Sequence, residues 1–140
     1  MEKAMAEYIA DRKDWDFASV EMGVNMLNDG FGPEQFESTI KEFVAVLSEE
    51  KRPVFATSIF GFNGTYQDKG KRFREIVEKY AKGNLHFVDG LELLNNPSFI
   101  SADMVHPTLE GIEQITERWG NIMRKKLEEL SFYRNKLETK

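Results

Sequence analysis

Three short runs of apolar residues, Phe17 to Met22, Val54 to Phe60 and Leu85 to Val88, constrain this chain more than any other feature. Each run is nearly continuous rather than alternating, which is the pattern of strands covered on both faces, as in a parallel sheet. Parallel strands need long crossovers between them, and the intervening segments have helical periodicity. Pro33 to Glu50 repeats apolar residues at Phe36, Ile40, Phe43, Val44 and Leu47, and Asp68 to Lys82 does so at Phe73, Ile76, Val77 and Tyr80.

Helices are also expected at both ends. Residues 2 to 12 are helix formers with Ala4, Met5, Tyr8 and Ile9 on one face. A last helix is expected from Pro107 or Thr108 nearly to Lys140, with Pro107 at its first position or Thr108 as its cap. A short helical passage is expected over Leu91 to Leu94. The order helix, strand, helix, strand, helix, strand, loop, helix predicts one α/β domain over residues 1–140, with a doubly wound parallel sheet between two helical layers. Three strands are few for such a sheet. One edge is therefore expected to meet a segment outside the sequence or a second chain, making a homo-oligomer the expected state. No capping residue precedes the first helix, which fits either a helix joined part-way along or a frayed natural terminus.

The 140 residues, 41% of them hydrophobic, suffice for one core. A formal charge of −5 argues against nucleic acid or an anionic membrane as partner, and the cluster Arg124, Lys125 and Lys126 sits among glutamates as a solvated helix face. The absence of cysteine excludes disulfides, thiol catalysis and thiolate metal sites. With only His86 and His106 as imidazoles, a zinc site would need carboxylates to complete it, and neither a metal nor another cofactor is expected. The compartment stays open.

Ligands of open parallel sheets bind beyond the carboxyl ends of the strands. Three groups are expected there: Gly23 to Met26, Gly61 to Tyr66, and Ser101 to Pro107. Asp103 and His106 are close enough in a turn for the carboxylate to hold one imidazole nitrogen while the other faces a reacting proton. Asp103 bonding local backbone beside a structural His106 fits the same residues. Gly23 lets the chain turn off its strand, and the Asn25 amide then either donates to a developing oxyanion or fills an ordinary turn position. His86 reads as structural, and Asp89 as the cap of the short helix.

Together, Met22-Gly23-Val24-Asn25-Met26 and Asp103-Met104-Val105-His106-Pro107, with Gly111 following, resemble the third and last blocks of the SGNH hydrolases, the GDSL-type esterases and acylhydrolases. The resemblance covers nearly the whole chain and implies a flavodoxin-like fold and hydrolysis of a small-molecule ester, with acetyl groups on sugars, lipid esters and thioesters as the family's substrates and carbohydrate deacetylation among the expected activities. It further implies His106 as acid and base, Asp103 as its orienting carboxylate, and Asn25 as oxyanion donor. Gly23, Phe62, Asn63 and Tyr66 would border the pocket. Two departures stand out. Met26 replaces the aspartate usual after the block asparagine, and none of Ser19, Ser38, Ser48, Ser58, Ser98, Ser101 or Ser131 lies in the nucleophile's expected turn. The chain thus reads as the C-terminal part of such a domain, without the serine and inactive alone. The competing readings are a non-catalytic flavodoxin-like binding module and an oligomerisation fragment.

Overall fold

The computed structural model describes residues 2–60 and 67–138, with side-chain surroundings over 3–60 and 68–131. The elements are α1 (Glu2–Asp11), β1 (Ala18–Met22), α2 (Val24–Asn28), α3 (Pro33–Val46), β2 (Val54–Ser58), α4 (Gln67–Tyr80), β3 (Leu85–Val88), α5 (Gly90–Leu93) and α6 (Leu109–Glu138), with a 3-10 turn over Pro97–Phe99 before α6. The strands form one parallel sheet in the order β1-β2-β3, in which Ala18 pairs with Val54 and Val54 with Leu85. This is the α/β architecture that the apolar runs imply.

Every residue of β2 is buried, so its two faces need two separate cores. Val54 and Ala56 pack with Val20, Met22, Phe36, Ile40, Phe43, Phe73 and Val77 under α1, α3 and α4. Phe55 packs on the opposite face with Val88, Leu93 and Met123, bordered by Ile115, Trp119 and Ile122 of α6. The second layer is less sealed. Thr57 Oγ1, His86 Nε2 and Gln114 Oε1 are buried with no hydrogen-bond partner among the described residues. Burial lowers the pKa of His86, and Lys126 adds to the effect, so its neutral form is favoured against Phe55.

Several boundaries differ from the expected ones. Val24–Asn28 is a helical turn rather than an open one, because Gly23 at φ 105° reverses the chain off β1 and its carbonyl accepts from Leu27 N at 2.9 Å. Pro107 does not start the last helix: it bridges Ile100, and Thr108 caps α6 through Oγ1, which accepts from Gly111 N at 3.1 Å. β2 ends at Ser58, whose buried hydroxyl accepts from Gly90 N at 2.9 Å. α3 stops at Val46, ahead of Glu50, whose carboxylate instead grips Arg52 at 2.7 Å. That guanidinium in turn lies 3.5 Å from the Trp15 ring centre, closing the amino ends of the strands.

A side chain at Gly23 has neither the conformation nor the room, since a Cβ there would come within 3.0 Å of the Phe36 ring and 3.1 Å of Phe73. These two rings stack at 4.2 Å and cannot part cheaply. Gly23→Ala is therefore expected to cost about 2 kcal/mol, read as a lower urea midpoint at unchanged slope. An unchanged midpoint would show that the ring pair yields freely.

β1 is an edge of the sheet. Ala18 N donates inward to Pro53 O at 3.0 Å, so by strand alternation Ser19 and Glu21 turn their N–H and C=O groups outward. Burial pushes the Glu21 carboxyl up to about 7, although the residue as a whole is exposed; it is the upward direction that weakens this one charged guard of the edge. Self-association through β1 is expected in sedimentation at roughly tens of micromolar, the range of weak edge pairing. Ser19→Pro removes an outward donor without touching the inner ladder and is expected to give a folded monomer. A wild-type chain that already sediments as a monomer would show the edge to be silent.

Candidate functional site

The loop between the 3-10 turn and α6 is built around its own hydrogen bonds. Ser101 N donates to His106 O at 2.7 Å, Met104 N to Ser101 O at 2.9 Å, and Thr108 N to Phe99 O at 2.8 Å. Gly111 lets α6 close onto this loop, since a Cβ there would collide with Phe99 O. Inside the closure Met104 adopts φ 62°, a left-handed conformation that costs an L residue about 1 kcal/mol and that no local sequence signal announces.

Asp103 organises the loop. Its Oδ1 accepts from Val105 N at 2.9 Å and His106 N at 3.0 Å, and its Oδ2 lies 2.6 Å from His106 Nδ1. With Nδ1 carrying the shared proton, Nε2 is the free nitrogen and has no hydrogen-bond partner among the described residues. Both side chains are open to solvent, His106 at 76% and Asp103 at 51%. The His106 backbone N–H, the imidazole and the Val105 N–H together hold the Asp103 carboxyl down to about 2. Asp103 thus bonds local backbone and orients the imidazole at once.

Asn25 sits in the first turn of α2, at the carboxyl end of β1, and its carbonyl accepts from Asp29 N at 2.8 Å. Its side chain lines a cavity of about 320 Å³ with Lys3, Met26, Asp29, Phe31, Thr39 and Glu42. No hydrogen bond joins Asn25 to Asp103 or His106 among the described residues. Gly23 is buried beneath this turn and shapes it without presenting a side chain. Phe62, Asn63 and Tyr66 lie outside the described residues. Asp89 caps α5, accepting from Leu91 N at 2.9 Å. The lining of the Asn25 cavity escapes sequence reasoning because it comes from α1, α2 and α3; its one local signal is an exposed aromatic between two glycines, Gly30-Phe31-Gly32.

Titration of the Asp103 carboxyl carbon by NMR is expected to give a midpoint of about 2. Because the folded value is depressed, its contribution to stability is complete above the ordinary ~3.9 and is lost as pH falls through the folded value. In His106→Ala the midpoint is expected to rise yet stay below the ordinary value, since the two backbone N–H donors remain. An ordinary midpoint in the wild-type protein would mean that the loop is open in solution.

No family model matches the sequence, and no curated protein does. Solved structures do match. A GDSL-like lipase described as putative from Bacteroides ovatus superposes with a TM-score of 0.71 at 20% identity, over 91% of this chain and 40% of that one. Esterase EstA from a Pseudoalteromonas species gives 0.65 at 17% identity, over 90% and 70%. An Axe2 acetyl-xylooligosaccharide esterase from Geobacillus gives 0.62 at 18% identity, over 74% and 57%. The chain thus spans less than two thirds of the length of the first and third of these proteins. At such identities the likeness is one of fold, and the chain has the fold of the SGNH, or GDSL-type, hydrolases.

Proposed function

We propose that this chain is the part of a serine-type ester hydrolase that supplies the acid/base pair and an oxyanion donor. The observation that carries this reading is the 2.6 Å contact of Asp103 Oδ2 with His106 Nδ1, which leaves Nε2 open to solvent. In this reading a serine hydroxyl, which must come from outside the 140 residues, attacks the ester carbonyl and gives its proton to His106 Nε2. Asp103 fixes the tautomer and stabilises the imidazolium. The tetrahedral oxyanion takes a hydrogen bond from the Asn25 amide. His106 then protonates the departing alcohol, and water activated by the same nitrogen releases the acid. The solved structures that share the fold are esterases and lipases, which supports this chemistry over a purely binding role.

The 140-residue chain alone is expected to show no appreciable turnover of an activated acetyl ester. In a longer form carrying a serine upstream of Met1, hydrolysis is expected; there His106→Ala should lower kcat by about three orders of magnitude or more, and Asn25→Ala by roughly a hundredfold. Robust activity of the short chain, lost on changing one of its own serines, would place the nucleophile elsewhere. Near-normal rates in both variants of the longer form would remove His106 and Asn25 from the mechanism.

A further inference from the structure

His86 is a titratable group that the proposed acid/base chemistry does not use. It stands on β3 in register with Phe55 of β2, so both side chains leave the sheet on the side that α6 covers. The two rings lie 5.7 Å apart. His86 Nε2 is sealed from solvent and has no hydrogen-bond partner among the described residues. In a neutral ring protonated at Nδ1 this nitrogen is an acceptor without a donor, whereas in the charged ring it becomes an N–H without an acceptor, beside the apolar layer of Phe55, Val88, Leu93 and Met123. Protonation therefore turns a small defect into a costly one.

The charged surroundings do not relieve it. β2 brings Phe55 against the ring, and α6 brings the charge of Lys126, whose own partner Glu129 is 3.3 Å away on the same helix. Neither Asp89 nor Glu92 of α5 draws the charged form of the ring. α4 lies on the opposite face, where Lys79 pairs with Glu37. What protonation displaces is lightly held. α6 is tied to the body near its start, where Thr108 N donates to Phe99 O at 2.8 Å and Arg118 Nη1 to Glu92 O at 3.0 Å. Beyond Arg118 no hydrogen bond joins α6 to another element among the described residues, so Trp119, Ile122, Met123 and Leu127 hold by apolar contact. Such a segment opens more easily than the rest of a fold.

We propose that His86 is an acid-sensitive latch, whose protonation releases α6 beyond Arg118 from the sheet and bares the apolar face that carries Trp119, Met123 and Leu127. The Asp103 and His106 loop is closed by its own hydrogen bonds and stays in place. The ring meets water only in the released state, so release takes up a proton. Burial, and then Lys126, hold the docked imidazole below its ordinary range. Docking is therefore at full strength above the ordinary ~6.5 of a histidine and weakens as pH falls from there toward the lower docked value.

The test is amide hydrogen exchange of the 140-residue protein, corrected for intrinsic rates, with the His86 ring proton titrated by NMR alongside. Protection over Trp119 to Leu127 is expected to fall about tenfold from pH about 7.5 to about 5, while α3 does not follow. His86→Leu keeps an apolar side chain against Phe55 without a titrating nitrogen and is expected to abolish the fall. Lys126→Gln is expected to raise the His86 midpoint without restoring the ordinary value, since burial remains. Glu21 is pushed up to about 7 and titrates nearby, so Glu21→Gln serves as a control, as does His106→Ala; both are expected to leave the fall intact. A His86 midpoint at the ordinary value in the wild-type protein overturns the latch. So do protection that is flat with pH, a fall that persists in His86→Leu, or one that disappears in either control. None of these readouts depends on ester hydrolysis.

Discussion

Burial of β2 on both faces is the constraint from which the other elements follow. A strand closed off from water can satisfy its N–H and C=O groups only through neighbouring strands, and β1 and β3 supply those partners along its length. Its side chains then need two cores. The larger lies under α1, α3 and α4, anchored by the stacked Phe36 and Phe73, and the smaller lies under α5 and α6. This inequality gives the helical layers different tolerances. Substitutions around Phe36 disturb a packed interior, whereas the α6 side already holds buried polar atoms without partners.

The sequence disclosed those elements whose signal is local and periodic. Val54 to Ser58 is apolar enough to read as a covered strand, and Phe36, Ile40 and Phe43 recur at helical spacing. Val24–Asn28 carries no such signal: five residues are too few for a period, and Gly23 announces only that the chain turns. Of the two starts that the sequence allows for the last helix, the structure takes the Thr108 cap, because the rule for proline at helix starts does not register a preceding Ile100 with which Pro107 can bridge. At the candidate site, Asp103 and His106 were legible because three residues of chain bring them together. The surroundings of Asn25 were not, since Lys3, Phe31 and Glu42 meet it only after three helices have packed.

These two parts of the site also depend on different kinds of order. The Asp103 and His106 pair is closed within a few residues by Ser101, Val105 and its own backbone. Asn25 owes its place to the end of β1, and so to how that strand is aligned with β2 and β3.

The alignment of Met22 with Ser58 accordingly sets more than stability. Sliding β1 by two residues along β2 keeps the same side chains facing the core, yet carries Asn25 about 7 Å along the strand axis while the histidine loop stays still. Under the proposed mechanism the sheet acts as a graduated rule whose setting decides whether two independently formed parts serve one substrate. Val20 and Met22, seated under Phe36 and Phe73, are the detents that hold the setting. In that mechanism a residue that never meets a ligand would govern reactivity through translation of the strand, with every hydrogen bond of the histidine loop intact.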